Sequence, residues 1–113
     1  MSAQAYATTM GSAHWETYVV KIVELHGEDP LVTEKCGVYF VNGFIRGFQY
    51  GVVSKSDQVL PIVFARTHWW SEELPILEAR HEDPGVINKC KVHYQLAFIH
   101  GFKHGKEAVE FHL

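Results

Sequence analysis

The stretch Val38-Tyr39-Phe40-Val41-Asn42-Gly43-Phe44-Ile45-Arg46-Gly47-Phe48 decides the fold. Taken alone it reads as a β-hairpin, because Asn42-Gly43 is a strong two-residue turn signal between apolar flanks. Further along, the chain runs Val92-His93-Tyr94-Gln95-Leu96-Ala97-Phe98-Ile99-His100-Gly101-Phe102, with Leu96-Ala97 in place of the turn. Leucine and alanine are good helix formers, so both stretches are read as helix.

The correspondence extends well beyond these residues. At an offset of 54 positions, 14–51 lies over 68–105 without a gap, with 16 of 38 positions identical, where composition alone gives about 2. Two copies are fewer than a solenoid needs, so the expectation is two halves that bury their apolar faces against each other. That arrangement is a pseudo-twofold, single-chain analogue of a homodimer.

Within each copy, Asp29-Pro30 and Asp83-Pro84 read as an N-cap followed by proline at the first helical position. On the helix that follows, Val32, Cys36, Phe40, Gly43 and Gly47 share one face, repeated by Val86, Cys90, Tyr94, Ala97 and Gly101. Val38, Ile45, Val92 and Ile99 make the other side apolar too, as expected of a central helix. Thr17 and Ser71 are candidate caps of a shorter preceding helix, Tyr18 to His26 and Glu72 to His81, so each copy is predicted to be a helical hairpin.

The fold class expected is therefore mainly α, in one domain spanning 1–113. Residues 1–12 are expected to be a flexible arm. Residues 52–66 are expected to be an extended connector, since Ser54-Lys55-Ser56-Asp57 is turn-like and Val59 to Phe64 is β-branched around Pro61; an edge strand there would make the class α+β. Glu107 to Leu113 continues the last helix or forms a matching strand.

Gly43, Gly47 and Gly51, matched by Ala97, Gly101 and Gly105, recur every four residues at a cost of about 1 kcal/mol each relative to alanine. Close crossing of the two central helices compensates for this, with Phe44, Phe48, Phe98 and Phe102 in the core. Cys36 and Cys90 read as small buried side chains; a disulfide between them is conceivable across a twofold axis but not demanded.

Candidate chemistry is thin. His14, Glu24, His68 and Glu78 are shared by the copies and offer imidazole and carboxylate, yet their spacing is not a compact metal-ligand motif, and no cofactor is expected. The shared histidines are better placed to fix the start of the short helix, and Glu28 and Glu82 to sit favourably at a helix N-terminus. His93, His100 and His104 belong to the second copy only; His100 and His104 share a helix face but lack the glutamate of a zinc-protease motif, Gly101 standing there.

With 10 Lys+Arg against 13 Asp+Glu the net charge is -3, which argues against nucleic acid or an anionic membrane held by bulk charge. A nucleic-acid surface built on Lys21, Lys35, Arg46, Lys89, Lys91, Lys103 and Lys106 is the weakest reading. Two cysteines, no signal peptide and no transmembrane span suggest a reducing, cytoplasmic setting. The absence of a catalytic signature, a charged fraction of 20% and 13% aromatics favour a noncatalytic protein that binds another macromolecule, a regulator or inhibitor of the kind phages and mobile elements encode. The alternative is an enzyme binding metal or a small molecule through the His and Glu residues between the halves. Copy-specific positions on the second helix, Arg46, Tyr50, His100 and His104, are the expected partner contacts, forming one continuous patch. Dimerisation of the whole chain is left open.

Overall fold

A computed structural model describes residues 2–54 and 60–110 of the chain. The elements are α1 (Ala3–His14), a π-turn (Trp15–Val19), α2 (Val20–Leu25), α3 (Pro30–Val53), α4 (Pro61–His68), a second π-turn (Trp69–Glu73), α5 (Leu74–Ala79) and α6 (Pro84–Glu110). The fold is all-helical: two symmetric helix-hairpin units pack against a pseudo-symmetric core, with no strand among the described residues. No described helix is long and apolar enough to cross a membrane.

The core is the pair α3 and α6. Both start where aspartate precedes proline: Asp29 Oδ1 accepts from the backbone N–H of Leu31 (2.8 Å) and Val32 (3.4 Å), and Asp83 Oδ2 from Gly85 (2.9 Å) and Val86 (3.2 Å). A Cβ at Gly43, Gly47 or Gly51 would collide with the carbonyl oxygen of Tyr94, Phe98 or Phe102, in that order. The two helices therefore run parallel. From the other side, Cβ atoms at Gly101 and Gly105 would strike the carbonyl oxygens of Phe44 and Phe48. Each glycine thus faces the residue three positions before its own equivalent, which is what a twofold axis between the helices requires.

This repeated approach explains why the chain tolerates poor helix formers in its two longest helices. The hydrogen replacing each absent Cβ points at a carbonyl oxygen, a weak contact worth about 0.5 to 1 kcal/mol that offsets much of the glycine cost. The flanking Phe44, Phe48 and Phe98 are fully buried, each contributing roughly 1.5 to 3 kcal/mol.

At the N-terminal end of the pair, Lys35 Nζ lies 2.7 Å from Glu82 Oε2 and Lys89 Nζ 2.6 Å from Glu28 Oε2. Glu28 and Glu82 were expected to act only on the helix ends; each also accepts from the next backbone N–H, but its main partner is a lysine of the other copy. The hydrogen bonds from lysine hold both carboxyls below the ordinary range. The turns into α3 and α6 place Gly27 and His81 at φ 74° and 58°, so the second copy forces a histidine into a conformation that suits glycine.

Three expectations outside the central helices are corrected. Residues 3–14 are no flexible arm but α1, with Ala7 and Gly11 buried against the core. Pro61 begins α4 instead of interrupting an extended segment, its fixed φ suiting the first helical turn; residues 55–59 of the expected connector, and 111–113 of the last segment, lie outside the described residues. Thr17 and Ser71 cap nothing: each lies inside a π-turn, and Ser71 Oγ donates to the Thr67 carbonyl. The short outer helices are continuous with α1 and α4 through those turns.

The π-turns have a common cause. The core-facing positions of the first outer helix are 7, 11, 15, 19 and 23, and of the second 61, 65, 69, 73 and 77, all four residues apart. In an α-helix that spacing drifts by about 40° per step, and a wider turn takes part of the drift back. Pro75 is not responsible, because the first copy has Lys21 there and the same turn.

Candidate functional site

Each outer helix lies against the groove between α3 and α6, one on either side, and the shared histidine just before each π-turn points into that groove. On the second-copy side His68 Nδ1 is 3.0 Å from Glu72 Oε2, and its Nε2 is 2.6 Å from the Tyr50 hydroxyl. Arg46 Nη2 reaches the same Glu72 oxygen at 3.0 Å. The hydrogen bond from His68, then the charge of Arg46, holds the Glu72 carboxyl below its ordinary range. Tyr50 also stacks on Phe64 at 5.0 Å. Next to this chain Glu73 faces inward, and burial pushes its carboxyl up. A pocket of about 420 Å³ beside Arg46 and Glu73 is polar, with Gln4, Asn42 and Gln49 in its walls.

On the first-copy side every member of this chain except the histidine is exchanged. His100 stands for Arg46, His104 for Tyr50, Tyr18 for Glu72 and Val19 for Glu73, while His14 matches His68. His14 is 5.3 Å from His104 and 6.2 Å from His100 between ring centroids, and 5.9 Å from Tyr18. Glu107 lies 3.9 Å from His104 on its far side. Burial, then His104 and His100, lowers the pKa of His14.

What remains between the π-turn, α2 and α6 is an apolar groove of about 420 Å³. Val19, Val23 and Phe40 form its floor; Tyr18, Ile22 and Leu96, all about half exposed or more, form its walls; His14, His93 and His100 edge it. His93 replaces Tyr39 of the other copy and packs edge-on against Trp15 at 5.5 Å; its Nδ1 is buried without a hydrogen-bond partner. The Tyr94 hydroxyl is likewise buried without one.

The expected single patch is corrected by this geometry. Arg46 and Tyr50 contact the second outer helix, whereas His100 and His104 contact the first, because a twofold axis sends equivalent positions to opposite sides. Glu24 and Glu78 are exposed on α2 and α5, away from His14 and His68, and among the described residues no three His, Cys, Asp or Glu side chains are placed to hold a metal ion. Sequence reading missed the groove itself. Its signal lay in three exchanges, Glu72 to Tyr18, Asn42 to Leu96 and Tyr39 to His93, each on one side of the same helix crossing. No known family, curated protein or solved structure matches the chain.

The His14 cluster carries a pH signature. A histidine whose pKa is lowered by folding takes its proton first in the unfolded chain, so stability is lost as pH falls below the ordinary value of 6.5 and the loss levels off once the folded form is protonated too. Thermal melts at about pH 7.5 and about pH 5.5 should show a smaller drop for His14→Gln than for the wild type. An identical drop in the two proteins would assign the effect to other groups.

Proposed function

We propose that the protein is a noncatalytic interaction protein, a regulator or inhibitor, that receives an apolar segment of a partner protein in the groove edged by His14, His93 and His100. The observation that carries this reading is the contrast between the two sides of one pseudo-symmetric core. Where the side facing the second outer helix joins Arg46, Glu72, His68 and Tyr50 into a satisfied polar chain, the side facing the first keeps Tyr18, Ile22 and Leu96 exposed beside a concave apolar floor. A folded chain has no internal use for such exposure, and contiguous apolar concavities are where partner side chains anchor. A cytoplasmic setting belongs to the same reading, given two cysteines that are not joined to each other.

A photo-crosslinking side chain at Leu96 and, separately, at its equivalent Asn42 provides the test. One partner should be captured at position 96 and not at 42. The same partner, purified, should then bind Leu96→Asp at least about tenfold more weakly than wild type. Equal capture at both positions, or affinity indifferent to Leu96→Asp, would place the contact elsewhere.

A further inference from the structure

The pseudo-twofold axis makes α3 and α6 equivalent, so the surfaces they turn outward compare position by position. Around α3, Glu16 and Glu34 line a cavity of about 380 Å³ with Val38 and Asn42, and Glu73 lines the polar pocket beside Arg46 and Gln49. Around α6 the axis puts Trp70 at the place of Glu16, Asn88 at Glu34 and Val19 at Glu73. Ser12 and Gly37, which share the cavity wall with Glu16, become Arg66 and Lys91, and Gln49 becomes Lys103. The carboxylates that surround α3 are thus replaced by uncharged side chains around α6, where new cations stand beside apolar residues. We propose that the partner segment received here is an acidic amphipathic helix, which lays its apolar face over α6 and its carboxylates on Arg66, Lys91 and Lys103. This rests on the groove beside Leu96 being the partner site.

Three observations support the assignment. First, the apolar surface does not stop at the groove. Tyr18 and Ile22 flank α6 on one edge, Val92 and Leu96 lie on its outer face at 45% and 50% exposed, and Trp70, 66% exposed, stands at the other edge. An exposed tryptophan continuous with such a surface is the side chain best suited to anchor a partner. Second, the cations there are uncommitted. Lys35, Lys89 and Arg46 each hold a carboxylate of this chain, whereas Arg66, Lys91 and Lys103 hold none among the described residues. With a net charge of -3 overall, this basic rim is a local feature, and it complements a partner that carries carboxylates. Third, no strand edge is present among the described residues, and the backbone of α6 is paired within its own helix. A segment bound here must satisfy its own N–H and C=O groups, which a helix does and an extended peptide does not.

Peptides of random sequence about 16 residues long, roughly 24 Å of helix, displayed on phage and selected on the full-length protein, provide the test. Selection should enrich apolar residues at i, i+3 or i+4 and i+7 together with an excess of Asp and Glu. The best of these, made synthetically, should bind at least about tenfold more weakly to Trp70→Ala and to Lys91→Glu/Lys103→Glu, each with melting behaviour unchanged. Binding should also weaken as sodium chloride rises. Enrichment of basic or uncharged peptides, no enrichment, or affinity indifferent to both variants would overturn the proposal. So would a monomer–dimer equilibrium abolished by Trp70→Ala, or sedimentation with phosphatidylserine vesicles in place of peptide binding, which would give this face to a second copy or to a bilayer. Leu96→Asp separates this inference from the reading beneath it. If a partner captured at position 96 is lost in Leu96→Asp but indifferent to Trp70→Ala and the lysine reversals, the groove stands and the acidic helix falls; if the acidic peptide ignores Leu96→Asp, the groove itself falls.

Discussion

Trp69→Ala is expected to lower the unfolding free energy by about 3 to 5 kcal/mol, while Trp70→Ala changes it by less than about 0.5 kcal/mol. The two tryptophans are adjacent in sequence and alike in chemistry, yet one is 1% exposed and the other 66%. Trp69 opens the π-turn and is held between Tyr39 and Tyr94, at 5.8 Å and 5.6 Å between ring centroids, so it touches both central helices at once. Its removal leaves a cavity that neither helix can close without breaking the glycine contacts further along. A domain of this size holds only about 5 to 15 kcal/mol in total, so the variant should sit near the edge of folding. Denaturant titration of both variants gives the answer. Comparable losses at the two positions would mean that the outer helix is rotated from the phase described.

Gly47→Ala should destabilise the protein by about 2 to 3 kcal/mol, although alanine is the better helix former by about 1 kcal/mol. The added methyl would strike the Phe98 carbonyl, which is backbone and cannot swing aside as a side chain can. All of α6 would have to withdraw, loosening the approaches at Gly43, Gly51, Gly101 and Gly105 together. Gly101→Ala, facing the Phe44 carbonyl, should cost a similar amount, and exposed Asn42→Ala should stay within about 0.5 kcal/mol. A neutral or stabilising Gly47→Ala would show that the helices do not approach this closely.

The central helices were legible in the sequence because two independent signals agreed there. Asp29-Pro30 and Asp83-Pro84 mark where they begin, and the second copy cancels the turn suggested by Asn42-Gly43 in the first. The outer helices were harder to read. Pro61-Ile62-Val63-Phe64 has strand-like propensity, and what overrides it is the burial of Ala65 and Trp69 on the core-facing side. Proline at a first helical turn, the argument already used at Pro30, applied equally to Pro61. Likewise Gly11 and Ala65 are small, buried and 54 positions apart, so the repeat begins before His14 and α1 could have been found from it. For the candidate site, the residues that differ between copies were visible, but their grouping was not. Grouping needs the direction of the axis, which the glycine spacing implies only once the helices are known to run parallel.

The paired π-turns also order events in time. Such a turn holds one residue more than the α-helical path it replaces. Both copies carry it at the same place, Trp15–Val19 and Trp69–Glu73, and the two halves align through it without a gap. Had the extra residue entered one copy after they separated, the alignment would need a gap there, or the same insertion would have had to occur twice. The extra residue therefore belongs to the single ancestral unit, along with the tryptophan that it brings inward. The exchanges at Tyr18/Glu72, Tyr39/His93, Asn42/Leu96 and Arg46/His100 are younger, since they arose only once there were two copies to diverge. The scaffold is inherited, and what distinguishes its two sides was acquired on it afterwards.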